Sequence, residues 1–486
     1  MTLYKKIKYG FFAALMLVLL GACSKDFLEK QPIGRISKNL LLEDPDGLKI
    51  ALNGSYNRVV YYYVREFGAY GDVAGGDLLR FEKAGSGTFP LRSEYNFQSA
   101  RDEDAATVGH IWLNIFEALN NVNNVINAIP TVKEKYPSQA RQLDSLSAQA
   151  LVLRAMCHFD LAKAYAQSYN YTSDASHLGV PVLTKTPSPG VPVVRKSMKE
   201  TYDVITADLL AALPLLKKYY NNNRAVVSYQ AAWAFLSRLN LYRDNWDETI
   251  NWSDSIIQKG GFTLTPHDKY AEMFYTIKPS NETIWQLIAI EPGMVNTIFS
   301  DTTSFNYYPS KALTSLYDAA DIRLSSAYFP FPTHSPHKDK MVTTKYGYIK
   351  PVEKTPFSIQ LYRLSEIYLN RAEALWHKGR YDDAAADLKL IVQRAHPNTT
   401  VEITYTSPAD LFKQISDERR RELAFEGHRL FDIARRHESI VRVGDCADPS
   451  TCTFTLTYPN NRFVLPIPGK ELDANRAMQP NPGIND

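Results

Sequence analysis

One apolar stripe constrains this chain more than any other feature. Leu146, Ala150, Leu153, Cys157, Leu161 and Ala164 recur three or four residues apart. That is the repeat of a helix face packed against a neighbour. Similar stripes return along most of the sequence. Ile111, Ile115, Leu119, Val122 and Ile126 predict a helix over 105–129, which Pro130 is expected to end. Further helices are expected at 46–63, 198–216, 228–243, 246–258, 358–378, 381–395 and 408–437. Cys157, on the first stripe, is expected to be a buried small apolar side chain.

Several of these helices come in pairs joined by short turns. Lys378-Gly379-Arg380 separates 358–378 from 381–395, and Arg243-Asp244-Asn245 separates 228–243 from 246–258. An aromatic, Trp246 or Tyr381, starts the second helix each time. The arrangement resembles the tetratricopeptide plan of stacked helix hairpins, with an irregular period and long insertions. The expected fold is therefore mainly α: stacked helix pairs beside a large, irregular, loop-rich lobe. Segments 64–100, 261–355 and 441–486 supply that lobe. The first carries Gly68, Gly71, Gly75, Gly76, Gly85, Gly87 and Pro90 among several aromatics. Long loops of this kind are often functional. Within the second, Thr283 to Ile290 reads as a strand.

The N-terminus reads as an export signal. Lys5, Lys6 and Lys8 precede an apolar run from Phe11 to Leu20, followed by Gly21-Ala22-Cys23. The run is too short to span a bilayer as a helix, which takes roughly 20 residues. Leu20-Gly21-Ala22-Cys23 resembles the bacterial lipobox, so Cys23 is expected to be the lipidated first residue after cleavage. Each buried methylene contributes ~0.8 kcal/mol, so a stable anchor takes more than one acyl chain. Residues 23–45 read as the lipidated start and a tether, and 46–486 as a single domain. The chain holds 55 Lys+Arg and 52 Asp+Glu, and the signal accounts for the excess of three lysines. The remainder has no net charge and no general attraction for nucleic acid. Cys446 and Cys452 are expected to form a short disulfide loop after export, with two free thiols as the alternative.

Seven segments together resemble the SusD/RagB family of outer-membrane nutrient-binding lipoproteins. They are Cys23-Ser24-Lys25-Asp26-Phe27-Leu28, IWLNIFEALNNVNNVINAIP at 111–130, ALVLRAMCHFDLAKAY at 150–165 with Gly179-Val180-Pro181, YDVITADLLAALPLL at 202–216, YRLSEIYLNRAEAL at 362–375, ERRRELAFEGHRLFDIARR at 418–436, and FVLPIPGKEL before the terminal QPNPGIND. Their order over nearly the whole chain carries the resemblance. It implies an outward-facing protein anchored in the outer membrane. Such a protein captures an oligomeric nutrient, usually a glycan, for a SusC-like TonB-dependent transporter. The helix pairs would face that transporter. It also implies a ligand face on the loops of 64–100 and 265–330. Sugar rings stack on aromatic faces and are oriented by a few polar groups. Tyr70, Asp77, Arg80, Phe81, Tyr95, Tyr275 and Tyr307 are the candidates there. A peptide or glycoprotein ligand stays open, as do a surface glycan hydrolase and an assembly protein without a ligand.

Catalytic chemistry finds little support. The sequence has no phosphate loop, nucleophile elbow or HExxH. In 362–375, Arg363, Glu366, Asn370 and Glu373 share a helix face, where exposed pairs add ~0.2–0.5 kcal/mol each. Glu422 and Glu426 lie among Arg419, Arg421, Arg429, Arg435 and Arg436, which would lower a carboxyl pKa where a general acid needs it raised. A structural ion network is expected. His334 and His337 are expected to be solvated in a Pro-rich loop, and no metal or cofactor is expected.

Overall fold

The computed structural model describes residues 38–80, 91–101, 106–188, 190–274, 276–290, 307–325, 341–343, 345, 356–442 and 455–484. Cys23, Phe81, Tyr275, His334, His337, Cys446 and Cys452 lie outside the described residues, as does the side chain of Arg80.

The longer helices are α1 (Pro45–Val64), α2 (Glu66–Gly75), α3 (Ala106–Lys135), α4 (Ala140–Tyr165), α5 (Met198–Lys218), α6 (Tyr229–Tyr242), α7 (Trp246–Lys259), α8 (Leu364–His377), α9 (Tyr381–Ala395), α10 (Pro408–Glu422) and α11 (Arg429–Arg435). Their starts follow from the sequence. Ser228 Oγ accepts the Ala231 N–H, Asn245 Oδ1 that of Glu248 and Ser407 Oγ that of Asp410. Each satisfies an orphan donor of the first turn. Ser197 and Glu200 close a reciprocal capping box before α5.

From α3 to α9 each helix packs on the next. The α7–α8 contact holds although residues 260–363 intervene, so the insertion leaves the stack and returns to it. The two hairpin turns are alike: Gly379 has φ of 72° and Asp244 φ of 56°. The strained conformation suits glycine. At Asp244 the side chain is held by Asn170 Nδ2, which donates to Oδ2 at 2.8 Å. Trp246 of one turn stacks on His377 of the other, with ring centroids 3.8 Å apart.

Among the described residues the strands form antiparallel two-stranded ribbons: β1 (Leu78–Arg80) with β5 (Tyr307–Pro309), β2 (Leu178–Pro181) with β3 (Arg195–Ser197), β4 (Thr283–Ala289) with β6 (Phe357–Arg363), and β7 (Ile440–Val441) with β8 (Thr455–Leu456). The strand expected at 283–290 is β4.

Four expectations need correction. The segment 64–100 is not irregular throughout, because α2 occupies its first part. Residues 358–363 are strand, not helix. All seven residues of β6 are buried, and a strand covered on both faces has no alternation to mark it. Pro130 does not end α3, which runs on to Lys135. Ile129 and Val132 beside it are buried, so packing holds the last turn despite the lost hydrogen bond. The helix expected over 408–437 breaks between α10 and α11, where Phe425 and Gly427 have φ of 65° and 77°.

Candidate functional site

β1 and β5 join the two segments expected to carry the ligand face. Arg80 pairs with Tyr307 and Leu79 with Tyr308. The pairing is antiparallel, so the chain leaves β1 and enters β5 at the same end of the ribbon. At the other end the Ser310 N–H donates to the Asp77 carbonyl at 2.9 Å. Successive strand side chains point to opposite faces. Tyr307 is buried, and Tyr308 is the less buried aromatic of the pair, packed on one side against the core. Tyr308 was not among the sequence candidates. In the Tyr307-Tyr308 doublet the two rings take opposite faces, and the pairing with β1 sets which is the less buried.

The structure places the other described candidates in the framework. Tyr70 lies on α2, is 3% exposed and meets Phe431 edge-on at 6.1 Å. Tyr95 is buried, with the Arg442 guanidinium 4.2 Å from its ring centroid. Asp77 is buried, paired with Arg420 at 2.7 Å and more distantly with Arg429 at 3.9 Å. Tyr70, Asp77, Tyr95 and Tyr307 therefore support the ribbon from within and present no face for a ligand. The glycines of α2 serve the same end. A Cβ on Gly71 would stand 2.4 Å from the Gly427 carbonyl oxygen, and one on Gly75 2.7 Å from the Leu430 nitrogen. They let α2 touch the 423–428 turn and α11 backbone to backbone. The Gly427 N–H donates to Asp72 Oδ2 at 2.7 Å across that contact.

Beneath the ribbon runs a buried network of charges. Glu422 accepts hydrogen bonds from Arg363, Arg394 and Arg323. Arg363 also reaches Glu282 at 3.1 Å and Glu426 at 2.6 Å. Arg323 reaches Asp321 and Glu418, both at 2.7 Å. Lys345 Nζ donates to Glu426 and to the Ala424 carbonyl, both at 2.6 Å. β4, β6, α9, α10 and the 321–323 turn are thus tied at one place. A second cluster joins Glu373 to Arg435 and Arg436, each at 2.5 Å, and Arg419 to Asp432 at 2.8 Å. The ion network expected around Glu422 is present. The face of Glu366, Asn370 and Glu373 is not exposed, however. Its partners come from other elements: Arg238 on Glu366 at 2.6 Å, and Arg419 on Asn370 at 2.7 Å.

These charges do not suit acid catalysis. Burial raises the Glu422 carboxyl, but Arg394, Arg363 and Arg323 together outweigh burial and hold it well below the usual range. Arg363 and Lys345 likewise outweigh burial at Glu426. Burial pushes Lys345 down to about 8, against the pull of Glu426. The enclosed cavity near Lys163, Arg238, Glu426 and His428 measures about 30 Å³. That is room for about one water molecule. Among the described residues no cluster of His, Cys, Asp or Glu has the geometry of a metal site.

Comparison with known proteins adds to this geometry. A family model described as "SusD family" matches residues 215–483, more than half of the chain. Another, described as "Starch-binding associating with outer membrane", matches residues 80–241. The chain is 24% identical to "SusD-like protein P2" of Formosa agariphila, over 98% of this chain and 99% of that protein. A SusD superfamily structure from Bacteroides thetaiotaomicron superposes with a TM-score of 0.80 at 24% identity, over 90% of this chain and 100% of that one. A structure from Bacteroides vulgatus, named as a candidate sugar binding protein, superposes with a TM-score of 0.78 at 26% identity, over 91% and 99%.

Proposed function

Because the chain belongs to the SusD family, we propose that it is a cell-surface lipoprotein that captures a glycan and passes it to a SusC-like TonB-dependent transporter. Cys23 carries the lipid, the residues between it and the helix at Lys38–Leu41 are the tether, and the domain faces outward from the outer membrane. The observation that carries this reading is the β1–β5 ribbon. It joins the 64–100 segment to the 260–363 insertion, with Tyr308 the less buried ring of the pair. An aromatic face there suits the apolar face of a sugar ring. The helix pairs α6–α7 and α8–α9 are the surface offered to the transporter.

Binding without turnover fits the electrostatics, since buried guanidiniums hold Glu422 and Glu426 low. A general acid needs the opposite. A family model named for starch binding and a relative named for sugar binding support a saccharide ligand.

Affinity electrophoresis of the full-length chain in detergent, through gels holding single polysaccharides, tests the reading. At least one polysaccharide is expected to retard the protein without being cleaved. Tyr308→Ala is expected to weaken that retardation about tenfold, or 1.4 kcal/mol, with circular dichroism checking that the fold is kept. Release of reducing ends would favour a hydrolase, and no retardation on any gel would favour a pure assembly role.

A further inference from the structure

A second surface feature lies on the helical frame, at the adjoining ends of α4 and α5. The turn before α4, the first turns of α4 and the residues after α5 enclose an open depression of about 720 Å³. Gln139, Arg141, Gln142, Tyr219, Tyr220 and Asn222 line it. Tyr220 is 49% exposed, yet its ring is braced: Tyr229 lies 5.4 Å away, and Tyr229 in turn meets Trp233 edge-on at 4.8 Å. The Tyr219 ring is flanked by the Arg141 guanidinium at 5.6 Å and the Lys218 ammonium at 5.1 Å. Lys217 stands 5.0 Å from the Trp233 ring. Asp144, the nearby carboxylate, is already paired with Lys133 at 2.5 Å.

The depression thus combines a fixed exposed ring, uncommitted side-chain amides and an excess of positive charge. A sugar ring can lie on Tyr220, its hydroxyls can meet Gln139, Gln142 and Asn222, and an acidic substituent can meet Arg141 and Lys218. We propose that this depression is a second saccharide subsite, for a glycan unit bearing a carboxylate or sulfate. The proposal rests on the glycan-binding reading and extends it to the charge of the ligand.

The full-length chain in detergent is run through gels holding polygalacturonate, chondroitin sulfate or neutral amylopectin. At least one acidic polymer is expected to retard it more than amylopectin does. Arg141→Ala and Tyr220→Ala are each expected to weaken that retardation about tenfold, or 1.4 kcal/mol. Both sites are on the surface, and unchanged circular dichroism checks the fold. Tyr220→Ala leaves the charge untouched, so its effect separates a built subsite from general attraction for polyanions. Acidic-polymer retardation equal in wild type and Tyr220→Ala overturns the subsite and leaves the glycan reading standing. Retardation only by the neutral polymer does the same. No retardation on any gel overturns both.

Discussion

The α8–α9 hairpin and the β1–β5 ribbon are held in opposite ways. The hairpin brings its own apolar core: Ala372, Leu375, Ala384 and Leu388 pack with Leu411 and Ile415 of α10. The ribbon has three residues per strand, and two-stranded ribbons are marginal by themselves. It is held besides by Asp77 on Arg420 and by the turn whose Arg323, paired with Asp321, reaches Glu418 and Glu422 on α10. The hairpin packs round a small apolar core of its own, whereas the ribbon shares the main core through Leu78, Leu79 and Tyr307 and is tied to α10 by buried charge.

The sharpest way to break this contrast is Glu422→Ala. It takes one carboxylate from Arg363, Arg394 and Arg323, each of which keeps another acidic partner, and losing one partner of a buried network costs ~3–5 kcal/mol. Denaturant titration reads the loss, and hydrogen exchange is expected to rise first at 283–289, 357–363 and 321–324. Leu388→Ala is the counterpart in the frame, costing ~2–5 kcal/mol by cavity formation. Exchange should then rise in α8, α9 and α10 and stay unchanged in the ribbon. Equal exchange patterns in the two variants would dissolve the distinction.

Acid separates the same two regions. His158 in α4 accepts the Leu183 N–H at 3.0 Å, and burial followed by Arg154 lowers its pKa to about 3. The unfolded chain takes up that proton near 6.5, so the stability is full above 6.5 and is lost as pH falls toward 3. The loss by pH 5 is about 2 kcal/mol. The network carboxylates Glu422 and Glu426 are depressed too, so their contribution persists down to about 4.5 and is lost only below that. His158→Gln is expected to flatten the slope between pH 6.5 and 5 in thermal melts. A slope unchanged by that substitution would remove His158 from the account. Gly71→Ala is a smaller break, costing ~1–3 kcal/mol by overpacking the α2 contact, with the midpoint of denaturation as readout.

How far each region could be read in the sequence follows from the same contrast. The hairpins are written in local periods, so α6–α7 and α8–α9 are visible from their stripes and from Trp246 and Tyr381. The lobe is written in pairings between distant residues. Asp77 meets Arg420 and Arg363 meets Glu422, and spacing along one helix reveals neither. Gly71 and Gly75 look like loop glycines because a helix packed backbone to backbone has the same composition. β6 looks helical because both its faces are buried. The ribbon decides which of Tyr307 and Tyr308 is the more buried, so choosing from loop composition selected three aromatics and Asp77, all of which the structure buries.

The proposed function stands or falls on glycan capture at the ribbon. Hydrogen exchange of the full-length chain in detergent, with and without an oligosaccharide taken from a polysaccharide that retards it, tests this most directly. The account predicts slowed exchange at 78–80 and 307–309 and in the segments that adjoin them. Slowed exchange elsewhere, with the ribbon unchanged, would contradict it.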